Sequence, residues 1–267
     1  MPRTEERTIL QFPALLVAEQ LTLICAELYS RIEYGEFKES QPLMEGFELL
    51  APNVQMVIRQ FDAMVSLVIS SCLGTVTMTA QDRAQAVEFW IRVAEECLAL
   101  KNFAALRAIL LALQSRPIGR LESTWGHVSW KSSRTYKKLK KRDEEINREW
   151  LLKEARAIVK QQLCALTGCQ HRKKQGMVPF LGLFLREVPV DQLPENNDIT
   201  VILHELMIHK HLAKLYDLEP EEHVVSFLQA VEPLDEEESY SLSCQLEPES
   251  QKASRKGLLQ FFRPHKT

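Results

Sequence analysis

The chain has 267 residues, 45% of them hydrophobic and 26% charged, with a formal net charge of -3. This is enough apolar content to core one large domain or two small ones, and the charge balance gives no global pull toward nucleic acid. No run of about 18 apolar residues marks a membrane span, and the charged start MPRTEERTILQF lacks the apolar centre of a secretion signal, so the expectation is a cytoplasmic protein.

A first helix is predicted from about Pro13, because Leu21, Cys25, Leu28 and Ile32 recur at steps of four, three and four. Residues 34–52 have mixed polarity and no sustained period, and read as loop with short helices. Residues 54–70 are strongly apolar without Gly or Pro and predict a buried helix. Thr79 and Asp82 have capping-box spacing. The helix they open carries Val87, Trp90, Ile91, Ala94 and Leu98 on one side. Asn102 is placed to cap the next helix, so 79–100 and 103–113 form an antiparallel hairpin. The basic run 131–142 reads as a solvated face. One helix is predicted over 143–163, with Ile146, Trp150, Leu151, Ala155 and Ile158 facing inward. A polar loop at 167–176 leads into MVPFLGLFL, a turn falls at 193–198, and helices follow over 199–215 and 220–231. The tail 251–267 is basic with an apolar end and reads as flexible. With few glycines, no repeat and almost no alternating pattern, the fold class is all-α. Leu21, Leu28, Trp90, Ile91, Leu110, Leu121 and Phe180 are the predicted core.

The six cysteines are scattered and read as buried reduced thiols. Cys164, Cys169 and His171 cluster, but zinc wants four ligands in paired short spacings. His204 and His209 stand five residues apart, about 140° around a helix, where a metal would need a spacing of four. These two, with His211, are expected on a polar helix face. No metal or cofactor is expected. Nor is a hydrolytic enzyme, since no Ser-His-Asp or Cys-His arrangement emerges.

Three blocks carry a resemblance to a known family. NFAALRAILLALQSRPIGRLESTW at 102–125, MVPFLGLFL at 177–185 and AEQLTLICAELYSRI at 18–32 resemble, in order, signature blocks of the Ras guanine-nucleotide exchange factor catalytic domain. SCLGTVTMTAQDRAQAVEFW and ESYSLSCQLEPES resemble its Ral guanine nucleotide dissociation stimulator branch. The resemblance covers 9–250 as one catalytic domain. It implies a helical bowl that releases GDP from a Ras-superfamily small GTPase, Ral-like in this branch, without covalent chemistry or a cofactor. Such a partner is lipid-anchored, so peripheral membrane proximity is implied with no span and no nucleic acid. In this family one surface grips switch 2 of the GTPase, and a helical hairpin after the VPFLG block levers switch 1 aside.

Carried over by position, the GTPase-binding residues are Arg59, Gln114, Phe180, Arg186, Leu203 and His204. Gln114 precedes the Ser-Arg-Pro turn and corresponds to a switch 2 contact. Phe180 lies under the hairpin base and Arg186 on its first helix. Leu203 and His204 lie on the second hairpin helix, where it packs on the first. The sequence departs from the family in the hairpin. The 36 steps from Phe180 to Tyr216 are shorter than the resemblance implies. A basic start to the second helix is missing, and Pro189 interrupts the first. Leu193 stands where some relatives carry an acidic residue. The alternative is therefore a module that binds a GTPase or another partner without exchange.

Overall fold

The computed structural model describes residues 8–33, 35–36, 51–166, 175–185, 196–230 and 234–248, without the side chains of 163–166, 196–200 and 202. Arg186, Pro189, Leu193, Cys169, His171 and the tail 251–267 lie outside the described residues. A 3-10 turn at Ile9–Gln11 precedes α1 (Ala14–Arg31), α2 (Pro52–Leu73), α3 (Ala80–Ala99), α4 (Phe103–Gln114), α5 (Arg116–Gly119) and α6 (Glu122–His127). Then follow α7 (Trp130–Glu145), α8 (Arg148–Leu166), α9 (Gly182–Leu185), α10 (Asn196–Ala213), α11 (Glu222–Ala230) and α12 (Glu236–Leu246). The described residues hold no strand, only an isolated bridge between Asn102 and Val178. The all-α expectation holds.

Local chemistry sets the boundaries. Pro13 caps α1 in extended conformation. Gly74 ends α2 at φ 62, a left-handed position that costs glycine little. The Thr79–Asp82 capping box forms in full: the Thr79 hydroxyl accepts from the Asp82 N–H at 3.2 Å, and the Asp82 carboxylate accepts from the Thr79 N–H at 2.9 Å. Asn102 Oδ1 accepts from the Ala105 N–H at 3.0 Å, and its amide nitrogen donates to Thr22 Oγ1 at 3.1 Å. One cap thus starts α4 and ties it to α1.

The core gathers on α4. Helices α1, α2, α3, α5 and α7 all pack against it, so nine of its residues, Phe103, Ala104, Ala105, Leu106, Ala108, Ile109, Leu110, Ala112 and Leu113, are buried. A fully buried Leu or Ile contributes about 1.5–3 kcal/mol each. Trp90 of α3 is wholly buried and its indole N–H donates to Ser71 Oγ at 2.6 Å, linking α3 to α2.

Several expectations need correction. Leu21, Trp90, Ile91, Leu110 and Leu121 are buried, but Leu28 and Phe180 are only partly so, because both line a groove. α2 buries one face only, through Val54, Met64, Leu67, Val68, Cys72 and Leu73, while Met56 and Arg59 face out. By length and composition alone α2 could cross a bilayer, contrary to the sequence reading; it packs on α1, α3 and α4, with 28% of that apolar stretch buried. The predicted helix over 143–163 is two helices, broken at Ile146 and Asn147, where Asn147 Oδ1 accepts from the Trp150 N–H at 2.9 Å and caps α8. His209 is fully buried rather than on a polar face.

Candidate functional site

Three of the twelve α4 residues escape the surrounding helices: Arg107, Leu111 and Gln114. Their i, i+4, i+7 spacing places them on one stripe. Leu111 is an exposed large apolar residue, which a helix otherwise buried on every side would be expected to hide. Gln114 is exposed at the last turn, and its amide nitrogen donates to the Leu110 carbonyl at 2.9 Å. Directly after it, Ser115 turns the chain and Pro117 enters α5, ending α4 sharply.

On the neighbouring helix α2, Met56 and Arg59 are both exposed. Arg59 Nη2 donates to Gln55 Oε1 at 3.3 Å, one turn back on the same helix. Phe61, two residues on, faces the segment that brings in Phe180: their ring centroids are 4.9 Å apart. The Arg107 guanidinium lies 5.9 Å from the Phe180 ring centroid. Phe180 therefore joins α2 to α4 across the candidate face.

The position of Phe180 follows from the backbone. The Val178 N–H donates to the Lys101 carbonyl at 3.1 Å, and the Phe103 N–H donates to the Val178 carbonyl at 2.9 Å, stitching this segment to the α3–α4 turn. The Tyr216 hydroxyl donates to the Leu100 carbonyl at 2.7 Å, fastening the end of α10 to that turn. Gly182 is required for close approach: a Cβ there would meet Phe180 Cζ at 2.4 Å.

Between α1, α2 and this segment lies an apolar groove of about 220 Å³, whose walls include Leu28, Val57, Phe61, Met64, Phe180 and Leu185. Cys25 also lines it; burial, against a hydrogen bond with Asn102, pushes its thiol up to about 12, so it stays protonated and non-nucleophilic at neutral pH. Arg107 pairs with Asp143 of α7. Burial raises the Asp143 carboxyl above its ordinary value despite the opposing Arg107 contact. The face offers an apolar groove, a cation and an amide, which suits gripping a protein segment rather than bond-making.

The structure brings Arg59, Gln114 and Phe180 onto the neighbouring elements α2, α4 and the 177–185 segment. Leu203 lies elsewhere. It is buried beside Tyr29 and Ile32 of α1, where it anchors α10. His204 is exposed on α10 while His209 is buried, so the two do not converge. Among the described residues, no group of three or more His, Cys, Asp or Glu could hold a metal ion. Sequence reading missed Phe61, Arg107 and Leu111. Leu111 carried a signal, an apolar residue on the same stripe as Gln114, but α4 is apolar almost throughout and periodicity could not single it out.

The RasGEF domain profile matches residues 16–224. The human Ral-GDS-related protein is 39% identical over 265 residues, covering 93% of this chain and 56% of the relative. The mouse Ral guanine nucleotide dissociation stimulator-like 3 is 33% identical over 271 residues, covering 92% of this chain and 38% of the relative. The dog Ral guanine nucleotide dissociation stimulator-like 2 is 32% identical over 284 residues, covering 92% and 36%. The chain thus spans about half or less of the length of these relatives. With a profile match across most of its length and an all-helical architecture around the matched blocks, the chain belongs to the RasGEF domain family.

Proposed function

We propose that this chain is a cytoplasmic guanine-nucleotide exchange factor for a Ras-superfamily small GTPase, Ral-like in view of what its relatives are named for. The observation that carries the reading is the unsheltered stripe of α4 next to an apolar groove lined by Phe180, whose ring Arg107 of that stripe approaches. A rigid helix surrounded by others holds such a stripe fixed, so little ordering is needed when a partner docks. The mechanism is a population shift: a surface that binds the nucleotide-free GTPase more tightly than the loaded one favours GDP release, by no more than that differential affinity. A protein–protein interface of ordinary size supplies it.

The short span from Phe180 to Tyr216 favours a second reading, a module that holds the GTPase without releasing nucleotide. Release of fluorescent GDP from Ras, Rap and Ral GTPases, with and without the chain, tests the first reading. Accelerated release from Ral is the expected result. Binding of nucleotide-free Ral without acceleration establishes the second, and absence of both binding and release refutes the two together.

A further inference from the structure

The outer face of α7 carries charge that the GTPase-facing site does not use. Lys131, Arg134, Lys137, Lys138 and Lys141 are all exposed, and none has an ion-pair partner among the described residues. At 100° per residue they fall within an arc of about 120°. The opposite side of the helix holds Leu139 and Asp143, both buried. On α7 itself Glu144 and Glu145 lie at the edge of the arc, Glu145 paired with Arg142 at 3.2 Å, and Glu88 of α3 accepts from the Ser129 N–H at its start. Trp130 stands at the start of the same arc, 74% exposed, the most exposed large apolar residue among those described. Its ring lies 5.3 Å from the Arg134 guanidinium. Helix α7 is held from beneath by α3 and α4, so the arc is a firm surface rather than a loose tail.

We propose that the outer face of α7 is a docking surface for an anionic phospholipid bilayer, with Trp130 entering the headgroup layer and the five cations lying over the lipid phosphates. Charge complementarity selects the occupant. The chain as a whole carries -3, so attraction to a polyanion needs a local concentration of cations, and this arc supplies one. A helix lying along a membrane combines a row of Lys and Arg with an aromatic at the interface. Single-stranded nucleic acid is bound through several aromatic platforms along a groove, and this convex arc has one aromatic.

The test is vesicle co-sedimentation of the full chain, which contains no GTPase and so fails or succeeds independently of the exchange reading. Phosphatidylcholine vesicles are compared with vesicles of phosphatidylcholine and phosphatidylserine, and a duplex RNA of equal phosphate concentration is run in parallel. The expected result is binding to the anionic vesicles only, weakened about fivefold for each cation changed to Gln. The variant carrying Lys131→Gln, Arg134→Gln, Lys137→Gln, Lys138→Gln and Lys141→Gln should be lost from the pellet while its circular dichroism is unchanged, because all five side chains are exposed. The fluorescence difference between wild type and Trp130→Phe should shift to the blue on anionic vesicles. Equal binding to neutral vesicles, retention by the fivefold Gln variant, an unshifted Trp130 difference spectrum, or binding to the RNA and not the vesicles would each overturn the proposal.

Discussion

Arg59 and His209 show how differently two polar residues on helices are used. Arg59 is exposed and donates to Gln55 along its own helix, so Arg59→Glu should leave folding intact. If it sits near the centre of a GTPase interface, the reversal should weaken capture of nucleotide-free GTPase by about 1–3 kcal/mol; unchanged capture in a titration refutes its role. His209 is the reverse case. It is wholly buried beside Phe184, ring centroids 5.5 Å apart, and neither ring nitrogen makes a hydrogen bond. Burial lowers its pKa from 6.5 to about 4, against weak opposing contributions from the Glu205 and Leu151 backbone. The folded-state value is depressed, so the neutral ring contributes stability fully above pH 6.5. As pH falls toward 4 the unfolded chain takes up a proton that the folded chain refuses, and stability drops by roughly 3 kcal/mol across that window. Between pH 7 and pH 5, His209 should therefore lower the unfolding free energy extrapolated from urea titrations by about 2 kcal/mol, and His209→Leu should remove that share of the difference. Parallel pH profiles for the two proteins would refute this account. The sequence placed His209 on a polar face because imidazole counts as polar. α10 is in fact buried on two sides, through Leu203 and Leu206 on one and Glu205, His209 and Leu212 on the other.

Helix boundaries were legible where a capping side chain stood directly before an apolar run. The Thr79–Asp82 box and the Asn102 cap could be read directly, since a short polar side chain placed just before an apolar run has few other uses. The break at Ile146 was missed because inward-facing apolar residues continue across it in nearly helical register. The signal lay in Asn147, an N-cap followed by Arg148 and Glu149. The clasp that holds α12 was not legible at all, because it joins residues more than 120 positions apart. Glu247, just after α12, accepts from the Ser123 N–H at 2.8 Å, the Thr124 N–H at 2.9 Å, the Thr124 hydroxyl at 2.7 Å and Arg83 Nη2 at 3.1 Å. Burial pushes its carboxyl up, but these hydrogen bonds outweigh that and hold it below its ordinary value. Arg83 is itself buried and also donates to Thr124 Oγ1 at 3.0 Å and the Met78 carbonyl at 2.8 Å. Glu247→Ala strands a buried guanidinium and two backbone donors, and should cost roughly 3 kcal/mol. Glu247→Gln keeps some of the hydrogen bonds and should cost less. Equilibrium urea unfolding reads both; a loss below about 1 kcal/mol for Glu247→Ala would show that α12 is held by its other contacts, such as Arg120 to Ser243, and not by this clasp. By the same linkage, the Glu247 contribution is present above the ordinary carboxylate range and disappears as pH falls through its lowered value.

On the proposed function, the whole molecule pairs a firmly built grip with a lever of altered length. The candidate face sits on α2 and α4, the most heavily packed pair of helices, and its blocks were recognisable because scaffold residues fill them. Residues 186–195, where the first hairpin arm would lie, are outside the described residues, but α10, which the proposed reading makes the second arm, shows where it is anchored. Leu203 packs against α1, and Glu205 accepts from Arg148 Nη2 of α8 at 3.0 Å. Those anchors fix α10 from Leu203 onward, so any reach over the nucleotide site depends on the residues before it. A hairpin that is short by sequence extends less far and destabilises bound GDP less, and every 1.4 kcal/mol of lost differential binding slows release about tenfold. We therefore expect weak exchange from this chain with an undiminished grip. Replacing residues 187–198 with the longer, basic hairpin segment of a Ral guanine nucleotide dissociation stimulator-like relative leaves Leu203, Glu205 and His209 in place. It should raise GDP release from Ral by at least about tenfold, with affinity for the GDP-loaded form little changed. Release by the unmodified chain as fast as by the graft would refute the short lever, and would remove the main support for a module that binds without exchange.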